Sequence, residues 1–301
     1  MPLFRRSDGA PVPGLPAVRR IMPYLMRSKA ESVVLHDLVY DLSRTRPWLR
    51  AYNRAHPDRA TLFHLFAYAC TRSLHLRRDL NRFVAGGRIY QRNEVSFAFV
   101  AKEEMNDHGA MVTIKIAVPP DDPFPAFVRR MTEAVARGRA GSRGIDREVS
   151  LVMRLPGPVI RFAVWLARTL DAWNLLPAFF TRDDPMFASV FLANLGSAGV
   201  SDAYHHLYEY GTTAIFGTLS APARMPFVEG DAVVVRDGVN VRFTFDERIH
   251  DGFYAARSLA IARRIVEDPE RWLGDAAGPG LPAAAEPHPE SAADPAAAAR
   301  R

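Results

Sequence analysis

A single cysteine, Cys70, is all the thiol that this chain of 301 residues carries. That excludes a disulfide framework and any zinc finger built on paired cysteines. Cys70 falls in the apolar run Leu65-Phe66-Ala67-Tyr68-Ala69-Cys70 and reads as a packed thiol on a buried helix, in keeping with a reducing compartment. The opening residues lack an apolar signal core and are broken by Pro2, Pro11, Pro13 and Pro16. No secretory leader is read there, and the expected location is cytoplasmic. The net charge is +6, but the basic residues are spread along the chain and are almost all Arg. Without an aromatic-basic RNA motif or finger-type Cys/His spacing, nucleic acid is not an expected partner. The charge favours anions in general and does not choose among them.

Enough remains to build a large core. With 48% hydrophobic and 24% charged residues, the chain fits no collagenous or low-hydrophobicity class and supports one large domain or two small ones. Residues 1–17, rich in Pro and Gly, read as a flexible arm. An ordered domain spans 18–274. Residues 275–301, dominated by Ala, Pro, Gly and Glu, offer too little apolar area to offset ordering entropy and read as a disordered tail. No internal repeat is evident.

Within the ordered part, helical and strand signals alternate in an α+β manner. Residues 59–84 form an apolar helical pattern that turns polar at Arg77-Arg78-Asp79, and 124–139 form another with Phe124, Phe127, Val128, Met131 and Val135 on one face. Strands are expected at 88–90, 95–101, 111–118, 189–193, 214–219, 232–236 and 239–244, with Arg236-Asp237-Gly238 as a hairpin turn between the last pair. A final helix over 251–267 turns Phe253, Ala256, Leu259, Ala260 and Ile265 inward.

Residues 155–180 stand apart as an apolar helical insertion. Val159, Ile160, Phe162, Trp165, Leu166, Leu170, Trp173, Phe179 and Phe180 make a run about as long as a membrane span, but Arg161, Arg168 and Asp171 interrupt it, so spanning is not expected. Pro156-Gly157-Pro158 and Pro177 frame a helix of about 18 residues, apolar over most of its circumference. The leading reading is a helix buried between subunits. A lid over an apolar channel and a membrane-surface contact rank behind it.

The most telling motif is Asp246-Glu247-Arg248-Ile249-His250-Asp251-Gly252. Three further segments accompany it: Arg20-Ile21-Met22-Pro23-Tyr24-Leu25-Met26-Arg27-Ser28-Lys29; Leu80-Asn81-Arg82-Phe83 running on to Val95-Ser96-Phe97-Ala98; and Phe191-Leu192-Ala193-Asn194-Leu195-Gly196-Ser197, followed by Thr213-Ala214-Ile215-Phe216-Gly217. Together they resemble the catalytic domain of the 2-oxoacid dehydrogenase acyltransferases, within the chloramphenicol acetyltransferase-like superfamily. The resemblance implies a two-layer fold, a mixed sheet covered by helices, assembled as a homotrimer with the active channel between subunits. It implies acyl-coenzyme A, or another acyl thioester, as the donor. No lipoyl attachment domain is read in this chain, so a role in a large complex is not expected of it alone.

The family motif is a His, three residues, then Asp-Gly, the His being the general base for a thiol or hydroxyl attacking the thioester. Here that position holds Glu247, and the position of the family's Ser before Asn-Leu-Gly holds Ala193. His250, displaced by three residues, is an alternative imidazole, and Glu247 becomes a base if desolvated. Asp251 is expected to be structural, pairing with an Arg to hold the loop. Asn194 and Ser197 are the candidates for polar contacts to the oxyanion or substrate. His205-His206 lack a third ligand at a recognisable spacing, so no metal site is read, and His64 and His75 read as packing or surface residues. Two functions follow: a coenzyme-A-dependent acyltransferase with a thiol, hydroxyl or amine acceptor, or a non-catalytic trimeric binding or scaffold relative that has lost its base.

Overall fold

Apolar alternation builds the sheet. The computed structural model describes residues 6–102 and 111–278, the side chains of 141–152 lying outside that description. Seven strands form the main sheet, and along it run β2 (Val33–Asp41), β10 (Ala232–Asp246), β8 (Ile215–Leu219), β7 (Val190–Asn194), β5 (Val95–Lys102) and β6 (Met111–Val118), with β9 (Ala223–Glu229) paired to the first half of β10. The β5–β7 and β7–β8 pairings are parallel and the rest antiparallel, so the sheet is mixed. Three short strands, β1 (Gly9–Pro11), β4 (Arg88–Arg92) and β3 (Arg82–Ala85), make a second sheet.

Successive residues point to opposite faces of a strand, and here the two faces have different cores. Val190, Leu192, Phe97, Phe99, Val241, Phe243 and Phe245 join the large core under α3 (Leu62–Leu76), α4 (Phe124–Val152) and α7 (Gly252–Glu267). Phe191, Ala98 and Phe216 form a smaller cluster on the other side with Ala188 and Leu207. α3 is the central helix, buried from Phe63 to Leu74 apart from His64. Phe66 packs on Phe243, while Tyr68 meets Phe124 and Phe127 edge-on. The chain is α+β, a mixed sheet covered by helices, as expected.

Several expectations are corrected. The Asp-Gly pair at 237–238 makes no turn: β10 runs unbroken through it, and the hairpin to β9 turns at Gly230, where φ is +60°. Gly238 serves close packing instead, since a Cβ there would lie 2.9 Å from both Met225 Sδ and Phe227 Cζ. Residues expected to form a flexible arm are in part built in, with β1 paired to β4. The helical pattern expected over 59–84 ends at Leu76, and its last residues are β3. Packing also continues past 274: Ala276 is buried, and its carbonyl bonds His56 Nε2 at 3.0 Å. The tail beyond 278 lies outside the described residues. In α7 the inward residues are Ala255, Leu259, Ile261, Ala262 and Ile265, whereas Phe253 is exposed.

The apolar insertion departs most from expectation. In place of one helix framed by prolines there are two, α5 (Gly157–Ala172) and α6 (Ala178–Asp183). No residue of α5 is buried. Among the described residues, no helix is long and apolar enough to cross a membrane.

Candidate active site

The motif turn leaves the sheet where β10 ends, and it is held by a buried ion pair. Asp246 and Arg248 are 1% and 4% exposed. Asp246 Oδ2 accepts from Arg248 Nη2 at 2.7 Å, and Oδ1 accepts from Arg248 Nε (2.8 Å), the Arg248 amide (3.0 Å) and the Ser32 hydroxyl (2.9 Å). The remaining guanidinium nitrogen, Nη1, donates to the Met26 carbonyl at 3.1 Å. A two-residue spacing lets one arginine chelate the carboxylate that precedes it, and charge-assisted bidentate bonds of this kind are the strong ones. The turn is thereby tied to the segment after α1 (Ala17–Leu25).

Lys29 extends the buried polar group. Its ammonium donates to the carbonyls of Tyr208 (2.7 Å) and Gly211 (3.0 Å). Burial lowers its pKa to about 8, against the opposing attraction of Asp246 and Glu209.

Glu247, the residue expected from the sequence at the motif's histidine position, sits between these anchors. Its amide donates to the Ser32 carbonyl (2.9 Å), and its carbonyl accepts from Arg19 Nη1 (3.2 Å). Among the described residues its carboxylate takes part in no hydrogen bond or ion pair.

His250 is committed differently. The Asp251 amide donates to His250 Nδ1 at 2.9 Å, so that nitrogen carries a lone pair and the proton of the neutral ring is on Nε2. Nε2 lies 3.8 Å from Asp79 Oδ2, and the ring stacks on Tyr254 with 3.9 Å between centroids. Arg77 covers Tyr254 at 4.1 Å. Desolvation lowers the imidazole pKa, with Asp251 opposing. Asp251 caps α7, its Oδ1 accepting from the Tyr254 amide at 2.8 Å, and its other oxygen lies 3.5 Å from Arg19 Nη2. The backbone hydrogen bond from Tyr254 holds its carboxyl below the usual range.

Asn194 and Ser197 are not brought to this turn within one chain. Asn194 pairs with Leu219, which pairs with Val241, so Asn194 lies level with a residue five positions before Asp246. At about 3.3 Å per strand residue the offset along the strands is roughly 17 Å, to which two inter-strand spacings add. Ser197 is exposed and its hydroxyl donates to the Asn194 carbonyl at 2.8 Å. Ala193, in register with Thr218, presents no hydroxyl of its own.

His205 stacks on Phe216 at 4.0 Å, and no set of three or more His, Cys, Asp or Glu among the described residues is arranged to hold a metal. His64 closes the N-terminus of α3 in a capping box with Thr61, and burial lowers its pKa to about 4. His75 bonds the Val118 carbonyl.

Next to the clamp, a cleft of about 290 Å³ opens between α1, the Gly86-Gly87 turn, α5 and the 209–211 loop. Arg27, Lys29, Arg168 and Arg248 line it, with Glu209 and Asp171. Asp171 pairs with Arg6 and Arg248 with Asp246, so that Arg27, Lys29 and Arg168 against Glu209, which accepts from the Ala30 amide, give the wall facing the cleft an excess of positive charge. The sequence reading quoted Lys29 and Arg248 within its motifs without assigning them a buried role, and it did not single out buried Arg92. Arg92 donates to the carbonyls of Phe187 and Thr212 and stacks on Phe83, and burial lowers its pKa to about 10. Only the Asp-x-Arg spacing at 246–248 offered a local signal.

Comparison with known proteins places this geometry. Residues 180–274 match the family of 2-oxoacid dehydrogenases acyltransferase (catalytic domain). No curated protein matches the chain. Among solved structures, a probable dihydrolipoamide acetyltransferase from Listeria monocytogenes 4b F2365 is similar at 16% identity and TM-score 0.57, over 86% of this chain and 94% of that one. The cubic core of a pyruvate dehydrogenase multienzyme complex (14%, TM-score 0.58) and the Azotobacter vinelandii dihydrolipoamide acetyltransferase (15%, TM-score 0.58) are similar over 86% of this chain and 93% of each. At these identities the structures speak for the fold. The chain therefore has the fold of the dihydrolipoamide acetyltransferase cores, and its residues 180–274 match the 2-oxoacid dehydrogenases acyltransferase (catalytic domain) family.

Proposed function

We propose that this chain transfers an acyl group from a coenzyme A thioester to a thiol, hydroxyl or amine, with Glu247 as the general base and the site completed between subunits of a homotrimer. The observation that carries the reading is the state of position 247. Its backbone is fastened on both sides, to Ser32 and Arg19, beside a buried Asp246–Arg248 clamp, while its carboxylate has no partner among the described residues. A rigid turn that presents one uncommitted carboxylate suits a group that must meet an incoming acceptor.

In the reaction, Glu247 takes the proton as the acceptor attacks the thioester carbonyl. The tetrahedral intermediate collapses, the carbon–sulfur bond breaks, and the proton returns to the departing coenzyme A thiolate. His250 is the weaker base here, because its Nδ1 lone pair already accepts the Asp251 amide; it positions the turn against Tyr254. Asn194 is offset roughly 17 Å along the strands of its own sheet, so an oxyanion donor from that region reaches Glu247 only from a neighbouring copy. This supports the intersubunit site. The basic wall beside the clamp suits the phosphates of the donor.

A second reading, a non-catalytic thioester-binding relative, is favoured by Ala193, which removes a hydroxyl from the family's oxyanion position. Thiol release from short and long acyl-coenzyme A substrates separates the two. Turnover that falls about 10²-fold or more in Glu247→Gln, and less in His250→Ala, is expected of a carboxylate base. Coenzyme A binding with no release by the wild type, and release newly gained by Glu247→His, would establish the binding relative instead.

A further inference from the structure

One side of helix α5 lends Arg168 and Asp171 to the cleft described above, but its outer side is left unused by acyl transfer. At about 100° per residue, Ile160, Ala167 and Asp171 share one side, and these are half-buried against the domain. Val159, Phe162 and Leu166 share the opposite side and face solvent, Phe162 being 59% exposed. Trp165, 58% exposed, flanks them and meets Phe162 at 5.7 Å. The apolar surface continues through exposed Trp173, Leu175, Phe179 and Phe180.

The helix is held in this attitude from its C-terminal end. Arg6 pairs with the Asp171 carboxylate (2.7 Å) and donates to the Asp171 carbonyl (2.9 Å), and Asn174 donates to the Tyr90 hydroxyl (3.0 Å). Gly86 lies directly beneath: a Cβ there would come within 2.1 Å of the Ala172 carbonyl oxygen. The anchor keeps the inner side on the domain and the aromatic side outward.

Charge names the occupant of that outer side. The exposed ionised side chains of residues 153–183 are Arg154, Arg161, Arg168 and Arg182 against one carboxylate, Asp183, because Asp171 is already paired with Arg6. Aromatic rings beside a shoulder of arginines are the composition of a helix that lies in a lipid–water interface, rings in the acyl boundary and guanidinium groups at the headgroups. No described helix is able to cross a bilayer, so the fit is to lying on one. The patch also precedes the stretch that matches the acyltransferase family, residues 180–274, for most of its length.

We propose that α5 and the segment following it form a docking surface for an anionic lipid bilayer. Phe162, Trp165 and Phe179 enter the interface, while Arg161 and Arg168 face acidic headgroups. Docking in this way brings the cleft shared by Arg168 and Arg248 to the membrane.

Flotation of the full chain with phosphatidylcholine vesicles, with and without phosphatidylglycerol, tests this. The wild type is expected to float with the phosphatidylglycerol vesicles and to be released as salt is raised. Each of Arg161→Gln and Arg168→Gln should lower the partition about fivefold, and Phe162→Ser combined with Trp165→Ser should abolish it. Equal flotation with both vesicles, or flotation that survives the double substitution, overturns the proposal. So does a failure of the wild type to float with either. An oligomer that dissociates on the double substitution without ever binding vesicles would show that another copy covers the face, and would overturn it too.

Discussion

Arg248 and Arg168 line the same cleft and solve opposite problems. Arg248 is buried, with its Nε and Nη2 on Asp246 and its Nη1 on a backbone carbonyl. Arg168 rides on an exposed helix whose apolar face has no cover, and among the described residues it binds no carboxylate. The first arginine fixes geometry inside the fold, and the second shapes the electrical character of the outside. A net charge of +6 summed over the chain conceals this division, because paired internal cations add nothing to the field that a partner meets.

Substitutions can sharpen the contrast. The largest effect is expected at the clamp: Asp246→Ala leaves a buried guanidinium and the Ser32 hydroxyl without their acceptor and should cost about 3–5 kcal/mol in denaturant unfolding. A loss under about 1 kcal/mol would mean that the turn holds itself by packing alone.

Next comes Lys29, whose folded-state pKa of about 8 lies below its ordinary 10.5. The unfolded chain then binds more protons between those values, so stability rises with pH from about 8 to about 10.5, and the cost of the buried charge is fully present below that window. Lys29→Met should flatten this part of the stability–pH curve. Lys115 is shifted in the same direction and stays in the variant, so the wild-type-minus-variant difference isolates Lys29. An unchanged slope would show that the ammonium is solvated.

The smallest effect belongs to the outer face. Phe162→Ser with Trp165→Ser should move the unfolding free energy by no more than about 0.5 kcal/mol for each substitution, as surface changes do. A larger loss would place those rings against a partner.

The sequence exposed the architecture better than the site. Alternation at Val112, Ile114 and Ile116 marked β6, and all three are buried. The Asn-Leu-Gly segment and the Asp251-Gly252 motif, both within residues 180–274, carried the resemblance to the acyltransferase family. The clamp escaped because its bonds join Ser32 and Met26 to residues beyond 245, and nothing local to either end marks a contact across the chain. The Arg92 cage is built from backbone carbonyls, which any residue supplies. Asp237-Gly238 has turn chemistry, yet Met225 and Phe227 of β9 needed a residue without a side chain, and packing outweighed local preference. For α5, periodicity identified an apolar face and could not say what covers it.

The long strand β10 has a consequence for the order of assembly. β2 sits at the end of the main sheet with β10 as its one neighbour there, and Val33 meets Asp246. As the chain leaves the ribosome, β2 is made well before its partner, so it waits unpaired with Leu35 and Val39 on the side that stays exposed even in the finished fold. Such distant pairing makes folding slow and leaves an open edge for strands of neighbouring nascent chains. The Ser32–Asp246 bond that steadies the motif turn forms across this same junction. Maturation of the candidate site therefore waits for the synthesis and docking of β10.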